Sequence, residues 1–244
     1  MNRTGLIVAL GIAAVVGLVF GFFPQLDLAI SEPFYRMTMR GLHFPARAYP
    51  PTMMLRDFGL WIGVALVLLP IIALAFKLIV PRRRLLIPGR AIVLLLTTIV
   101  LAPGLMANVI LKDHWGRPRP IDVTQFGGDQ RFVAWWDPRG ECPNNCSFVS
   151  GDVSGAMWTV APAALVPPQW RVLAYCGALA LGAGMATLRV MAGGHFFTDV
   201  VFAGVFTFLI IWVMHGLLYR WRSRLTDEAV EKAIERVSIF RRQK

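Results

Sequence analysis

Residues 189–199 have the sequence RVMAGGHFFTD and separate two long apolar runs, at 172–188 and 199–219. Each run is close to the roughly 20 residues that a helix needs to cross a bilayer. The segment between them carries a cation, an imidazole and a carboxylate, from Arg189, His195 and Asp199. Ionisable side chains are costly at membrane depth and usually mark a function there. The sequence therefore predicts a functional site where two membrane helices end.

Apolar runs of similar length recur along the chain. They lie at 5–23, 58–80, 91–111 and 151–167, in a chain of 244 residues that is 56% hydrophobic. Segments that cross lipid must be helical, because their backbone polar groups find no partner in hydrocarbon. We therefore expect an all-α polytopic membrane protein, with six transmembrane helices in one bundle over residues 1–224. The first run lacks a cleavage site, so we interpret it as a retained helix and not as a signal peptide.

Membrane topology accounts for the net charge of +11 without a nucleic-acid partner. If both termini are cytoplasmic, basic residues outnumber acidic ones on the inner side, through Arg82–Arg84 and the C-terminal tail. Such an excess is typical of the cytoplasmic side. The charged clusters described below then face outward. A nucleotide is not expected either, because the sequence lacks a glycine-rich nucleotide loop.

Two segments outside the long runs leave alternatives open. An apolar stripe at helical spacing runs through residues 24–56: Leu26, Ile30, Phe34 and Met37. It predicts a helix that either lies on the membrane surface or packs over the bundle. Residues 225–244 form a basic amphipathic tail, which either docks on anionic lipid or stays in solvent.

The longest loop, at 112–150, contains two cysteines in a C-x3-C spacing, Cys142 and Cys146. In an oxidising compartment these can form a disulfide, which the neighbouring turn residue Pro143 favours. The alternative is a pair of free thiols. A metal site is not expected, because a single pair of cysteines lacks the other ligands.

The third charged cluster has the most specific pattern. His195 and Asp199 are four residues apart, so on a helix both project from one face. A carboxylate behind an imidazole fixes its tautomer and stabilises the imidazolium. Gly193 and Gly194 allow close backbone approach and bring the free amides of a helix start near an anion. Taken alone, the pair could equally be a buried one that caps a helix.

Two other clusters end or begin apolar runs. The sequence KDHWGRPRP at 112–120 supplies Lys112 and Arg119 on a loop stiffened by prolines, and SFVSGD at 147–152 supplies Ser150 and Gly151. Individually these are common headgroup anchors and helix N-caps. Together with Arg189 they place three cations beside a histidine on one membrane face. Cations suit an anion and a histidine suits nucleophilic work, which indicates phosphate chemistry.

These motifs resemble those of the PAP2 family, the type 2 phosphatidic acid phosphatases. The likeness covers Lys112–Asp199. Within this range the sequences QFGG at 125–128 and CSFVSG at 146–151 are most similar to those of bacterial lipid A phosphatases. The resemblance implies a phosphatase without metal or cofactor, at the periplasmic face of a bacterial inner membrane. It implies that His195 is a nucleophile forming a phosphohistidine and that Asp199 orients it. The implied phosphate-binding residues are Lys112, Arg119, Ser150, Gly151 and Arg189.

The main departure from the family pattern is Asp152, which stands where the family has a histidine that protonates the leaving oxygen. An aspartate has an ordinary pKa near ~3.9 and is normally a poor acid. Asp152 is therefore a tuned general acid, or a partner of Arg119 or Lys112 that organises the loop, or a sign of weak or absent activity. Val149 and Leu188 also replace a family proline and serine.

The expected substrate is a lipid phosphate monoester, with lipid A first. A poor general acid is tolerable when the leaving group is good, which favours the anomeric 1-phosphate. The alternatives are an undecaprenyl diphosphate or phosphatidylglycerophosphate phosphatase and, from another class, an inactive member that binds anionic lipid. The sequence leaves the oligomeric state undetermined.

Overall fold

The computed structural model describes residues 1–38, 41–221 and 225–237. Within those ranges it has nine α-helical or partly π-helical elements, one short antiparallel hairpin and four short 3-10 helices at Glu32–Phe34, Pro45–Arg47, Pro120–Asp122 and Thr124–Phe126. The helices are α1 (Arg3–Phe22), α2 (Gln25–Ser31), α3 (Pro50–Ile79), α4 (Gly89–His114), α5 (Gly151–Met157), α6 (Val160–Leu165), α7 (Pro168–Met191), α8 (Phe197–Arg220) and α9 (Asp227–Val237). The hairpin pairs β1 (Arg36–Thr38) with β2 (Gly41–His43).

The long helices confirm a helical, polytopic membrane protein. In the described part of the chain, α1, α3, α4, α7 and α8 are long and apolar enough to cross a membrane. The predicted count of six is approximate, because the run at 151–167 folds into the two short helices α5 and α6.

The break between α5 and α6 has a local cause. Pro162 has no amide hydrogen to donate to the carbonyl four residues earlier, at Trp158. That carbonyl accepts instead from the Ala161 amide, at 2.8 Å, which makes a tight turn. The Trp158 side chain is fully buried and its Nε1 donates to Thr98 Oγ1 at 3.0 Å. The broken segment is therefore anchored inside the bundle.

The segment at 24–56 packs over the bundle. Ile30 and Phe34 contact its main apolar core, and Asp27 of α2 is fully buried. The prediction of one helix extending to Met37 is wrong, because helical structure ends at Phe34 and Met37 belongs to β1. The next helix, α3, begins at Pro50, well before the predicted span.

The first half of the C-terminal tail forms α9 and packs against the ends of α3 and α4. Lys77 of α3 is 1% exposed and donates to the carboxylates of Glu231 and Glu235, at 2.7 and 2.6 Å. Val230 packs against Gly89, the first residue of α4. Residues 227–237 therefore bind to the protein itself and do not form a tail that is solvated on all sides. Docking of this segment on anionic lipid stays a prediction. Residues 238–244 lie outside the described part.

We expect Lys77→Met to release α9. The change leaves two carboxylates facing each other without their cation, at a cost of up to about 3 kcal/mol. Hydrogen exchange of residues 227–237 in detergent micelles should then become roughly 100-fold faster. Lys232→Met, at an exposed position of the same helix, is the control and should leave protection unchanged. Equal protection in both variants would contradict the packing of α9 through Lys77.

Candidate active site

The three charged clusters meet at one end of the bundle. Lys112 lies near the end of α4, Gly151 begins α5, Arg189 lies near the end of α7, and His195 lies in the loop before α8. Arg189, Arg119 and Lys112 are the cations that act on the His195 imidazole. The structure therefore brings the predicted cations and the predicted nucleophile together.

His195 is held in one tautomer by a backbone carbonyl. The ring is 1% exposed, and its Nδ1 lies 2.6 Å from the carbonyl oxygen of Ser147. A carbonyl can only accept, so Nδ1 carries the hydrogen and Nε2 of the neutral ring keeps its lone pair. Burial, followed by the nearby cations, lowers the pKa of His195 well below its ordinary value. The ring is therefore neutral and suited to nucleophilic attack.

The predicted direct pair of His195 and Asp199 is wrong. His195 precedes α8, whose N-cap is Phe196, so the two side chains do not share a helix face. Asp199 accepts instead from the Phe196 amide, at 2.8 Å, and from the Ser147 hydroxyl. Because the Ser147 carbonyl holds the imidazole, Asp199 acts on His195 through Ser147.

A buried ion network lies behind this arrangement. Arg117 has no exposed surface, and its guanidinium donates to Asp199, to Thr198 Oγ1 at 2.8 Å and to Asp27 at 2.8 Å. Asp27 also accepts from the Thr198 amide at 3.0 Å. These two carboxylates occupy amides at the start of α8. The amides of Phe196 and Thr198 are therefore not free to bind an anion.

The predicted phosphate-binding residues Lys112 and Gly151 meet at Asn108 of α4. Residues Val100–Leu111 of α4 are π-helical, and Asn108 in this stretch donates to the Pro103 carbonyl at 2.6 Å. Asn108 also lies beside the Lys112 amine, at 3.4 Å. A Cβ at Gly151 would lie 2.3 Å from Asn108 Oδ1, so only glycine fits there. Asn108 therefore joins the first two motifs.

Ser150 and Arg119 have partners of their own. Ser150 is fully buried and caps α5, its hydroxyl accepting from the Val153 amide at 3.4 Å. The Arg119 guanidinium donates to the backbone and side-chain oxygens of Asn145, at 2.7 and 2.8 Å. Asn145 is neutral, so the charge of Arg119 is positioned but remains available to an anion.

Cys142 and Cys146 form a disulfide in the structure. The loop that it closes lies against the first motif, since the Cys146 amide donates to the Lys112 carbonyl at 2.8 Å. The next amide, of Ser147, donates to the Arg117 carbonyl at 2.8 Å. Ser147, whose carbonyl binds His195, therefore directly follows the disulfide loop and is held against the first motif.

Asp152 forms ion pairs with two arginines. Its Oδ2 lies 2.7 Å from Nε of Arg56 and 3.4 Å from Nε of Arg189. The predicted partners Arg119 and Lys112 are not among its hydrogen-bond partners in the described chain. Two guanidinium groups favour the ionised carboxylate. Asp152 therefore positions Arg189, one of the predicted phosphate-binding residues, and connects it to α3 through Arg56.

Several residues of the site were not predicted. They are Asp27, Arg56, Asn108, Arg117 as a buried residue, Ser147 and Thr198. Arg117 lies in the motif at 112–120 and Ser147 in the motif at 147–152, and this position was the one indication in the sequence that they belong to the site. Asp27 and Arg56 belong to the segment at 24–56, and no spacing in the sequence connects them to the motifs.

This fold and this site define a class: a helical membrane protein in which a cationic cradle surrounds a buried, neutral histidine. In the described ranges, acidic, histidine and cysteine side chains form no group of three that could hold a metal ion. The arrangement is suited to binding a phosphate group and attacking it from His195 Nε2.

Comparisons with known proteins agree with this class. The sequence profile of the PAP2 superfamily matches residues 91–224. A protein of Francisella tularensis subsp. novicida (strain U112) named lipid A 4'-phosphatase is 33% identical over 232 residues, 90% of this chain and 98% of the relative. A protein of the same name from Rhizobium leguminosarum is 39% identical over 106 residues, 43% of this chain and 46% of the relative.

A second Rhizobium protein of that name, from Rhizobium etli, is 38% identical over 105 residues, 43% of this chain and 41% of the relative. No solved structure matches the chain. The chain belongs to the PAP2 superfamily. This membership and the relatives together confirm the predicted enzyme class, a lipid phosphatase.

We expect Asp27→Asn to destabilise the protein, although Asp27 lies outside every motif. The change leaves the buried Arg117 with one carboxylate in place of two, at a cost of about 3–5 kcal/mol. Thermal unfolding in detergent should show a lower midpoint, and activity should fall because Asp199 loses its fixed position. Asp129→Asn, at an exposed position, should change neither. An unchanged midpoint for Asp27→Asn would contradict the role of the network.

The lowered pKa of His195 predicts the pH dependence of kcat/KM. Neutral imidazole is the nucleophilic form, so activity should persist as the pH falls through 6.5, the ordinary value, and be lost only below the lowered pKa. A phosphate monoester itself titrates near about pH 6, so its own titration is measured by phosphorus NMR and divided out. An acid limb at 6.5 or above in the corrected profile would contradict a buried, neutral His195.

Proposed function

We propose that this protein hydrolyses a phosphate monoester of lipid A, with His195 as the nucleophile. The observation that carries the proposal is the buried His195 ring, with Nδ1 bound to the Ser147 carbonyl and Nε2 free among three cations. The name shared by the relatives, lipid A 4'-phosphatase, supports lipid A as substrate and favours the 4' position.

In the proposed mechanism, His195 Nε2 attacks phosphorus and the bond from phosphorus to the sugar oxygen breaks. The phosphoryl group is then carried on Nε2 as a phosphohistidine, and the sugar oxygen takes a proton from water. A second water gives a proton to the hydroxide left by the first and attacks phosphorus, the bond from phosphorus to Nε2 breaks, and inorganic phosphate and the neutral ring are released. Lys112, Arg119 and Arg189 stabilise the charge on the phosphoryl oxygens through both steps.

Asp152 has a positioning role in this proposal and does not act as the general acid. Its ion pairs with Arg56 and Arg189 favour the ionised form, which has no proton to give. This observation also supports a second candidate, hydrolysis of the anomeric 1-phosphate, whose oxygen leaves more readily. The two candidates differ in the position of the phosphate that is removed.

An apolar cavity beside the site supports a lipid substrate. It has a volume of about 730 Å³, lies between α1, α7 and α8, and is lined almost entirely by apolar side chains. Val153 and Val190 line it, each next in sequence to a charged residue of the site, Asp152 and Arg189. Hydrocarbon chains could occupy such a cavity while the phosphate lies among the cations.

We further propose that the protein lies in the bacterial inner membrane, with both termini cytoplasmic and the site facing the periplasm. The basic turn Arg82–Arg84 and the packing of α9 at the same end of the bundle support this orientation. The disulfide at the opposite end supports an oxidising compartment there.

The proposal is tested by phosphate release from lipid A in detergent, with a chelator present to test for metal independence. His195→Ala should reduce release by at least about 1,000-fold, because the nucleophile is lost. His114→Ala is the matched control, since that ring contacts carbonyls of its own helix, Val109 and Ile110, and release should be unchanged. Trapping of labelled phosphate on the wild type, but not on the His195 variant, would support the phosphohistidine.

Four further substrates decide between the candidates. They are lipid A with only the 4'-phosphate, lipid A with only the 1-phosphate, undecaprenyl diphosphate and phosphatidylglycerophosphate. Preference for the first supports the proposal, and preference for the second supports the candidate based on Asp152. Absence of release from all of them, with tight lipid binding, would identify an inactive lipid-binding member and contradict the proposed activity.

A further inference from the structure

A cavity beside the phosphate site is lined by more arginines than one phosphate requires. It has a volume of about 280 Å³, and four of its lining residues are Arg47, Arg56, Arg119 and Arg189. Arg119 and Arg189 are shared with the phosphate site. Arg47 and Arg56 come from the segment before α3 and from α3 itself, and no family motif includes them.

The charges in this cavity are not balanced by the protein. Asp152 pairs with Arg56 and Arg189, and the exposed Asp57 lies 3.2 Å from Arg56. Arg47 has no ion-pair partner in the described chain, and Arg119 is bound only to the neutral Asn145. Asp122 acts on Arg119 through its charge. Four guanidinium groups therefore face three carboxylates, with Lys112 as a further cation at the proposed phosphate site.

Arg47 is an exposed side chain that lines the cavity, and its charge acts on both Arg119 and Arg189. Burial lowers the pKa of the Arg119 guanidinium from its ordinary value, the nearby carboxylate of Asp122 raises it, and the charge of Arg47 lowers it. Bringing like charges together is costly unless an anion compensates them. A phosphate dianion held by Lys112, Arg119 and Arg189 does not compensate Arg47.

The size of the cavity also exceeds the need of one phosphate. A water molecule takes up about 30 Å³ in the liquid, so the cavity has room for several groups of that size next to the phosphate. The space is open between Thr52 and Met53 of α3 and Leu188 and Ala192 at the end of α7. A substituent that is attached close to the scissile phosphate would lie there.

We propose that Arg47 and Arg56 form a second anion subsite, which binds a phosphate or carboxylate group attached close to the scissile phosphate of the same substrate. The inference rests on the proposed function, because it takes the site around His195 as the place of the scissile phosphate. It deepens that function by defining a substrate class: a lipid phosphate whose headgroup carries a neighbouring second anion.

The test measures binding of three small phosphonates to the purified protein by calorimetry. Methylphosphonate carries one anion, phosphonoacetate adds a carboxylate, and methylenediphosphonate adds a second phosphonate. Their phosphorus–carbon bonds are not hydrolysed, so binding is read without turnover. We expect the two double anions to bind roughly tenfold more tightly than methylphosphonate. The tighter of the two identifies the second anion as carboxylate or phosphate.

The variant that tests the subsite is Arg47→Gln. It should remove most of the tenfold advantage and change methylphosphonate binding by less than about twofold, while Arg47→Lys should retain part of the advantage. Arg139→Gln is the control for loss of a positive charge, because Arg139 is exposed and pairs with Asp137. It should keep the full advantage.

Three results would overturn the subsite: equal binding of all three phosphonates to the wild type, an advantage that survives Arg47→Gln, or an equal loss of methylphosphonate and double-anion binding in that variant. A protein that prefers double anions through Arg47 but releases no phosphate from lipid A would overturn the proposed function alone. A protein that binds none of the three phosphonates but releases phosphate from lipid A would overturn the subsite alone.

Discussion

The site depends on the pairing of Arg117 with Asp27 and Asp199 inside the protein. A guanidinium without exposed surface is tolerated only when its charge is paired and its hydrogen bonds are made. The three residues come from the loop after α4, from α2 and from the start of α8, so one interaction fixes three parts of the chain. Asp199 then holds the Ser147 hydroxyl, and the Ser147 carbonyl holds His195. The orientation of His195 thus depends on Asp27, a residue outside every motif.

The cations on the two sides of His195 differ in whether carboxylates neutralise them. Behind it, Arg117 is paired with two carboxylates, Asp27 and Asp199, so its charge is compensated and does not attract an anion. In front of it, Lys112, Arg119 and Arg189 are bound to neutral groups or share one carboxylate with Arg56. Uncompensated cations with fixed positions are what electrostatic stabilisation of a phosphoryl group requires. The same cations, with burial, keep the imidazole neutral, which links anion binding to nucleophilicity.

The errors of the sequence-based interpretation share one physical origin. The spacing of His195 and Asp199 gives a common face only if both residues are helical, and α8 begins after His195. The stripe from Leu26 to Met37 fits a helix in the same way, yet helical structure ends at Phe34. Periodicity describes which side chains could share a face. It does not report where the backbone leaves the helix, which here is decided by Pro33, the glycines before His195 and their packing.

The sequence by itself determined the membrane class, the approximate positions of the long helices, and the collection of cations around His195. These follow from local properties, since the length of an apolar run and the cost of charge near lipid do not depend on distant residues. Only the tertiary structure decided which carboxylate pairs with which cation. Arg117 meets Asp27 across 90 residues, Arg56 meets Asp152 across 96, and Thr198 meets Asp27 across 171. Such partners are selected by burial and geometry in the folded bundle, where a charge must be paired with whatever group the packing places beside it.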